Sequence, residues 1–495
     1  MIKRIALLFA LFAVAGCGGG GGGTTPGAVT PIATPAATPT PAATPTPNGN
    51  APAALPLALN VNNLPGPFYG EVVATLSGAS PRQMAMLPNG DLLIGTGGGT
   101  AAFAQSGKLY ILPNAEAASP AAPTVFATLS DGSCDQSAGT NTNSIAYAPL
   151  TATTGTIFIG MECSVWQIPY TNGDRVAASA GSKFLSVRTG LAAGSGIDHD
   201  VHHTTSVAVA AGTLYVSVGS SCNACIETDA TRGAIIKTSV SAASPSTAAT
   251  RVRNAIALAV NPATNTVWAG GAGQDCMVGS QCFAAMDQLY ALNGHPYEWM
   301  DPLTKHAGTA DYMWPWCEEN GTAVAAPDGT PTTPPAGTNC ASMIVAPVRA
   351  PAYSTIIGAT FYAPAAGATY AFPSAYRGGM FMTLHGSWHE NTSGVQVAVP
   401  EVVFVPITAN DAPLYPMDWT NGGSPFQTWA RNASGNPAPF MNGFQSGGTR
   451  IGRPAGLAVG PSGSLFISDD SANAIYRIRP GTAPQSIKRV QSGKA

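Results

Sequence analysis

Met84-Ala85-Met86-Leu87-Pro88-Asn89-Gly90-Asp91-Leu92-Leu93-Ile94-Gly95 reads as two apolar segments joined by a Pro-Asn-Gly-Asp turn. Asn-Gly supplies the positive-φ positions of a tight hairpin, and the flanking residues suit a pleated, half-buried surface. The stretch predicts a β-hairpin, and the same grammar returns along the chain. Gly456 to Asp469 repeats it around Pro461-Ser462-Gly463. Looser copies run from Ser144 to Met161, Ser206 to Gly219 and Ala255 to Gly271, and Gly379 to Leu384 supplies a weaker copy of a second strand. Six such units, with few amphipathic helices between them, fit radial repetition, in which blades pack around a central channel and protect each other's edges. The predicted fold is therefore all-β, a six-bladed β-propeller. Strands near Val72 to Leu76 and Ala474 to Ile478 are expected to share the closing blade. The interval from about Leu289 to Gly379 holds Trp299, Trp314, Trp316 and two cysteines, and is expected to carry elaborated loops that shape a site.

Composition bounds the function. The 495 residues carry 22 Lys+Arg and 25 Asp+Glu, a net charge of −3, and only 9% are charged. Nucleic-acid binding rests on many phosphate-neutralising cations, so no nucleic-acid partner is expected. With 57 Gly and 42 Pro the chain is rich in breakers, yet 45% of residues are hydrophobic, more than a disordered chain carries.

Met1-Ile2-Lys3-Arg4 followed by the apolar run Ile5 to Ala15, too short to span a bilayer, reads as a secretory signal. Val14-Ala15-Gly16-Cys17 resembles the bacterial lipobox, which implies acylation of Cys17 and a membrane anchor. Glycines 18–23 and the Thr/Pro/Ala-rich stretch to about Pro56 predict a semi-extended tether. The expected division is signal peptide 1–16, lipidated cysteine and linker 17–63, propeller 64–482 and tail 483–495. Export places the protein in the bacterial cell envelope, and Gly18 after the lipobox favours the outer membrane, facing the periplasm. Oxidised thiols follow from that compartment. Eight cysteines fall into near neighbours, Cys134 and Cys163, Cys222 and Cys225, Cys276 and Cys282, Cys317 and Cys340, with connectivity left open. Cys222-Asn223-Ala224-Cys225 reads as a small loop-closing disulfide, and Ile226 in place of His excludes c-type haem attachment.

Histidine is the informative residue. His199, His202 and His203 lie just before the strand Ser206 to Ala210, where a group titrating near neutrality suits a general base. A loop histidine satisfied by backbone groups and a His/Asp metal cluster are the alternatives at His202. Arg253 and Asn254 open another apolar strand, and the planar guanidinium suits a carboxylate, whether of a ligand or of a neighbour. His385, Gly386, Trp388 and His389 close the fifth hairpin unit. Basic or imidazole groups thus precede inner strands in five of the six units: Arg82, His202, Arg253, His385 and Arg453. Acids do not match that pattern, so an electropositive inner ring and an anionic ligand are expected.

Arg253-Asn254-Ala255, Val218-Gly219-Ser220-Ser221-Cys222-Asn223, Leu384-His385-Gly386-Ser387-Trp388 and Arg453-Pro454-Ala455-Gly456-Leu457-Ala458-Val459 resemble motifs of the glucose/sorbosone dehydrogenase family and its pyranose dehydrogenase branch, over about Leu64 to Pro480. The resemblance implies a propeller that binds pyrroloquinoline quinone over the channel with Ca2+ against it, and that oxidises sugars or related polyols. It implies His202 as the base, with His203 the alternative, and Arg82, Arg253, Asn254, His385 and Arg453 as cofactor contacts. Backbone carbonyls of Gly273 and Gln274 are implied for Ca2+, with Asp287 in support, and Trp314 or Trp316 as a sugar-stacking face. A sugar substrate, a downstream quinone or cytochrome acceptor and the membrane are the expected partners. The chain departs from the pattern at Ala269 to Asp275 and at Val201. These departures motivate one alternative, a carbohydrate-binding propeller without catalysis; a metal-dependent lactonase, which would need divalent metal and ignore quinone, is the third reading.

Overall fold

The computed structural model describes residues 68–97, 107–131, 142, 144–187, 202–222, 224–274, 298–317, 336–350, 353–387, 398–414, 439–445 and 449–482, and the backbone of Ala53–Ala54, Glu318, Thr322–Ala323 and Ser446. Among them there is no α-helix, and three short 3-10 turns, Leu303–Lys305, Cys340–Ser342 and Ser374–Tyr376, interrupt the strands. Among the described residues no helix is long and apolar enough to cross a membrane.

Strands assemble into six antiparallel blades. Blade one runs outward through Pro81–Met86, Leu92–Thr96, Lys108–Leu112 and Thr124–Thr128, and blade two through Ser144–Pro149, Thr154–Gly160, Ser164–Thr171 and Ser182–Ser186. Blade three has Thr205–Ala210, Thr213–Val218, Ala234–Ser239 and Ala242–Thr250, and blade four Ala255–Val260, Val267–Gly271, Glu298–Asp301 and Val348–Ala350. Blade five has Ile356–Phe361, Met380–Leu384 and Glu401–Val405. Blade six combines Pro454–Val459, Leu465–Asp469 and Ala474–Pro480 with the early strand Phe68–Thr75. Each innermost strand packs on those of the blades before and after it, and blade six returns to blade one, so the ring closes. The six-bladed propeller expected from the hairpin grammar is the fold, with the predicted closing pair in register, Val72 opposite Tyr476.

The turns work as their residues dictate. Gly90 takes φ 82°, and the Asn89 side chain accepts from the Asp91 amide at 3.2 Å. Between blades the filling is apolar. Leu93, Leu109 and Ile111 of blade one meet Ile157, Ile159 and Ile168 of blade two, and Phe372, Tyr376, Phe381, Phe404 and Phe440 form an aromatic cluster at blades five and six. At the channel, Gln83 Nε2 reaches from blade one to the Ile357 carbonyl of blade five at 2.5 Å.

Two expectations change. The interval from Leu289 to Gly379 is more than loop: it holds the two outer strands of blade four and the inner strand of blade five. Its Ala310–Asp311 segment also adds a parallel edge to blade three, opposite Ala249 and Thr250. Ala53–Ala54, placed in the linker by composition, pairs with Glu71 and Val72. Cys222–Cys225 and Cys317–Cys340 are disulfides, and Cys163 is disulfide-bonded. Cys17, Cys134, Cys276, Cys282, His199, Asp287, Trp388 and His389 lie outside the described residues.

Candidate functional site at the rim of the channel

In an antiparallel blade the start of the inner strand and the end of the second strand lie at the same end. That rule gathers the predicted residues on one rim. Arg82 is the second residue of its inner strand, His202 precedes Thr205–Ala210, Arg253 and Asn254 precede Ala255–Val260, and Arg453 precedes Pro454–Val459. His385 departs from the expected pattern because it follows the second strand of blade five. Its amide donates to Thr355, which does precede the inner strand, at 2.9 Å, so it reaches the same rim.

His202 is buried. Its Nδ1 lies 3.1 Å from the Ser220 carbonyl oxygen and 2.7 Å from Ser220 Oγ. Ser220 Oγ donates its own hydrogen to Cys222 O at 2.8 Å, so in the shorter contact it accepts from the ring; with the carbonyl as a weaker second acceptor, this places the hydrogen on Nδ1 and the lone pair on Nε2. Backbone bonds tie this corner to blade four: the Ser220 amide donates to Arg253 O at 2.9 Å and the Ala272 amide to Asn254 O at 2.9 Å. Thr204 Oγ1 donates to Asn254 Oδ1 at 2.7 Å, while Asn254 Nδ2 is buried and makes no hydrogen bond. Arg253 is buried beside it.

Blades one, five and six meet around a carboxylate that the basic-ring expectation lacks. Asp470 lies 3.2 Å from Arg82 Nη1 and 3.0 and 3.1 Å from His385 Nε2. Burial, then the nearby Arg453, pushes the His385 imidazole down to about 3 against the pull of Asp470, so it is neutral at physiological pH. Arg453 donates from Nε to His385 O at 3.2 Å and from Nη2 to Gly386 O at 3.1 Å. The rim is therefore mixed here: Arg82 and His385 contact the Asp470 carboxylate and Arg453 stands nearby, where the sequence pattern predicts basic groups alone. Ser220, Thr204 and Asp470 were not legible as site residues in the sequence. Asp470 left one trace, the acidic doublet Asp469-Asp470 at the end of its hairpin.

Gly273 and Gln274 follow the second strand of blade four and line a cavity of about 20 Å³ with Arg253, Trp299, Tyr312 and Trp314, room for about one water. Gln274 Nε2 donates to Pro315 O at 2.9 Å, and its Oε1 is buried without a partner. Trp314 thus belongs to the rim. Trp316 does not: it is packed with Cys317 and Met343, which corrects its expected role as a sugar face.

No family model and no curated protein matches the chain. Solved structures do. The calcium structure of a Trichoderma reesei enzyme of Carbohydrate-Active Enzymes Family AA12 superposes with TM-score 0.56 at 16% identity, covering 86% of this chain and 99% of that one. A glucose dehydrogenase follows with TM-score 0.52 at 14% identity, over 84% of this chain and 100% of that one. The soluble aldose sugar dehydrogenase of Escherichia coli, in its apo-form, gives 0.50 at 12% identity, over 84% and 100%. The likeness is one of fold alone, and it defines the class: an all-β propeller.

Proposed function

We propose that this protein is a pyrroloquinoline quinone-dependent sugar dehydrogenase of the glucose, sorbosone or pyranose type, exported and anchored at Cys17 in the cell envelope. The observation that carries the reading is the setting of His202, a buried imidazole whose Nδ1 faces the Ser220 carbonyl and hydroxyl oxygens, which leaves Nε2 to accept a proton on the rim where Arg253 and Asn254 stand. A sugar hydroxyl delivered to that nitrogen would pass its proton there as the carbon–hydrogen bond breaks. When bound, the quinone supplies the two-electron acceptor that the polypeptide lacks.

The residues suit such a group. Its carboxylates call for preorganised donors, and the rim offers Arg82, Arg253 and Arg453. Asn254 Nδ2 is a buried donor with no protein acceptor, a cost of about 1–3 kcal/mol that a ligand oxygen would relieve. Ca2+ takes oxygen ligands, and the backbone carbonyls of Gly273 and Gln274 would hold it, with Gln274 Oε1 buried and without a partner as a further oxygen. Among the described residues the one cluster of metal-ligating type is Cys222, Cys225 and Glu227, and its two cysteines are joined in a disulfide. A carboxylate-rich lactonase centre therefore finds no support there.

Calorimetric titration of the quinone-free protein with pyrroloquinoline quinone and Ca2+, followed by dye reduction with aldoses and polyols, tests the reading. Stoichiometric uptake and turnover are expected. Sugar binding without quinone uptake would overturn it in favour of a non-catalytic carbohydrate-binding propeller. His202→Ala is expected to keep quinone uptake and lose turnover by about 10²–10⁴-fold. Mass spectrometry of the mature N-terminus tests acylation of Cys17.

A further inference from the structure

Ser220 follows the second strand of blade three, and three structural devices converge on it. Its Oγ and carbonyl oxygen face His202 Nδ1 at 2.7 and 3.1 Å, and its amide is tied to Arg253 O at 2.9 Å. Its hydroxyl donates to Cys222 O at 2.8 Å. With that hydrogen spent, Ser220 Oγ has only lone pairs to offer the imidazole, so the chain of donors runs one way: His202 Nδ1–H to Ser220 Oγ–H to the Cys222 carbonyl. The accepting carbonyl is itself held. Cys222 is closed onto Cys225 by the disulfide, and Ser221 between Ser220 and Cys222 is fastened to Glu227, its amide to Oε1 at 2.5 Å and its hydroxyl to the two carboxylate oxygens at 3.0 and 2.9 Å.

We propose that Ser220 is a positioning residue for His202, and that the Cys222–Cys225 loop is the clamp that aims it, so that the disulfide sets the tautomer and direction of the base from outside the substrate's reach. The inference rests on His202 being the base.

The experiment uses the mature full chain and four variants: Ser220→Ala, Ser220→Asp, Cys222→Ala with Cys225→Ala, and Ser220→Ala combined with that pair. The first readout is nitrogen-15 NMR of histidine-labelled, quinone-free protein, with the His202 signal assigned by its loss in His202→Ala. Wild type is expected to show the Nδ1–H tautomer, and Ser220→Ala and the cysteine pair a mixture. The second is steady-state kinetics, in which both are expected to lose about 10–100-fold in kcat while KM and quinone affinity hold. The combined variant is expected to lose no more than the worse of its parents, because the two act through one link. Ser220→Asp is expected to move the acidic limb of the pH–rate profile upward, a change a merely structural role does not produce. Unchanged tautomer and kcat in Ser220→Ala, or losses that add, would overturn the proposal. Failure of the functional reading looks different: the NMR responses persist while no protein, wild type included, turns over sugar.

Discussion

His385 shows how burial and neighbours decide what a residue presents. Its Nε2 faces both oxygens of Asp470, which only accept when ionised, so Nε2 carries the hydrogen and the lone pair lies on Nδ1. Nδ1 is buried without a hydrogen bond, and the residue therefore offers a ligand an acceptor where the sequence motif suggested a basic contact. Burial opposes ionisation of Asp470, but the imidazole and Arg82 outweigh it and hold the carboxyl below its ordinary value. The imidazole falls from 6.5 to about 3 on folding, so between those values the unfolded chain binds the extra proton and stability is lost as pH falls. Asp469 acts in the opposite sense: burial raises its carboxyl from 3.8 to about 6, and its contribution is lost as pH rises through that window. His385→Gln removes the first effect and keeps an amide donor for Asp470. Urea midpoints measured between pH 4 and 7 are expected to fall less steeply on acidification in the variant, and identical slopes would mean that His385 is protonated in the fold. The five basic and imidazole positions of the rim were legible because hairpin boundaries locate strand ends. Asp470 was not, since its partners Arg82 and His385 are 388 and 85 residues away in the chain and only ring closure brings them together.

The second strand of blade three is the element on which the site turns. Gly219 follows it, and a Cβ there would stand 2.6 Å from His202 Cβ, 2.8 Å from His202 O and 2.9 Å from Asn254 Oδ1. No rearrangement of one flexible side chain relieves those contacts, because two of the three atoms belong to the base's own backbone and Cβ. Gly219→Ala is expected to cost about 1–3 kcal/mol of stability and to lower kcat by displacing His202. Gly212→Ala, at the hairpin turn of the same blade, is the control: it has φ 77° and open space around the added carbon, so backbone strain of about 1 kcal/mol is expected with turnover unchanged. Equal kinetic effects would remove Gly219 from the site. The hairpins were readable because their turn residues are local chemistry. The parallel edge at Ala310–Asp311 was not, since a two-residue pairing leaves no periodic signal, and Trp316 looked like a ligand face until its disulfide neighbours buried it.

At the scale of the whole ring, closure depends on charges taken out of water. Arg477 is fully buried, and its Nε lies 2.7 Å from Glu71 Oε1 on the early strand of blade six. Its Nη1 donates to Ala115 O and Ala117 O, each at 2.6 Å, which fastens blade six to the turn after the third strand of blade one. Arg479 adds Glu116 at 3.0 Å and stacks on Tyr370 at 3.8 Å. A buried pair of this kind is costly to assemble and costlier to halve: removing one partner leaves an uncompensated charge, at about 3–5 kcal/mol. Glu71→Ala is therefore expected to lower stability by about that amount, and Glu71→Leu with Arg477→Met to recover much of it, because an apolar pair of similar volume needs no solvation. Since each blade packs on both neighbours, weakening the seam withdraws support from blades one and six together, and the Arg82, Asp470 and Arg453 corner lies across that seam. Circular dichroism and tryptophan fluorescence, with Trp268 in blade four reporting from the far side of the ring, are expected to shift to the same lower urea midpoint in Glu71→Ala. Separate midpoints would show that the seam frays alone and that the rim does not depend on it.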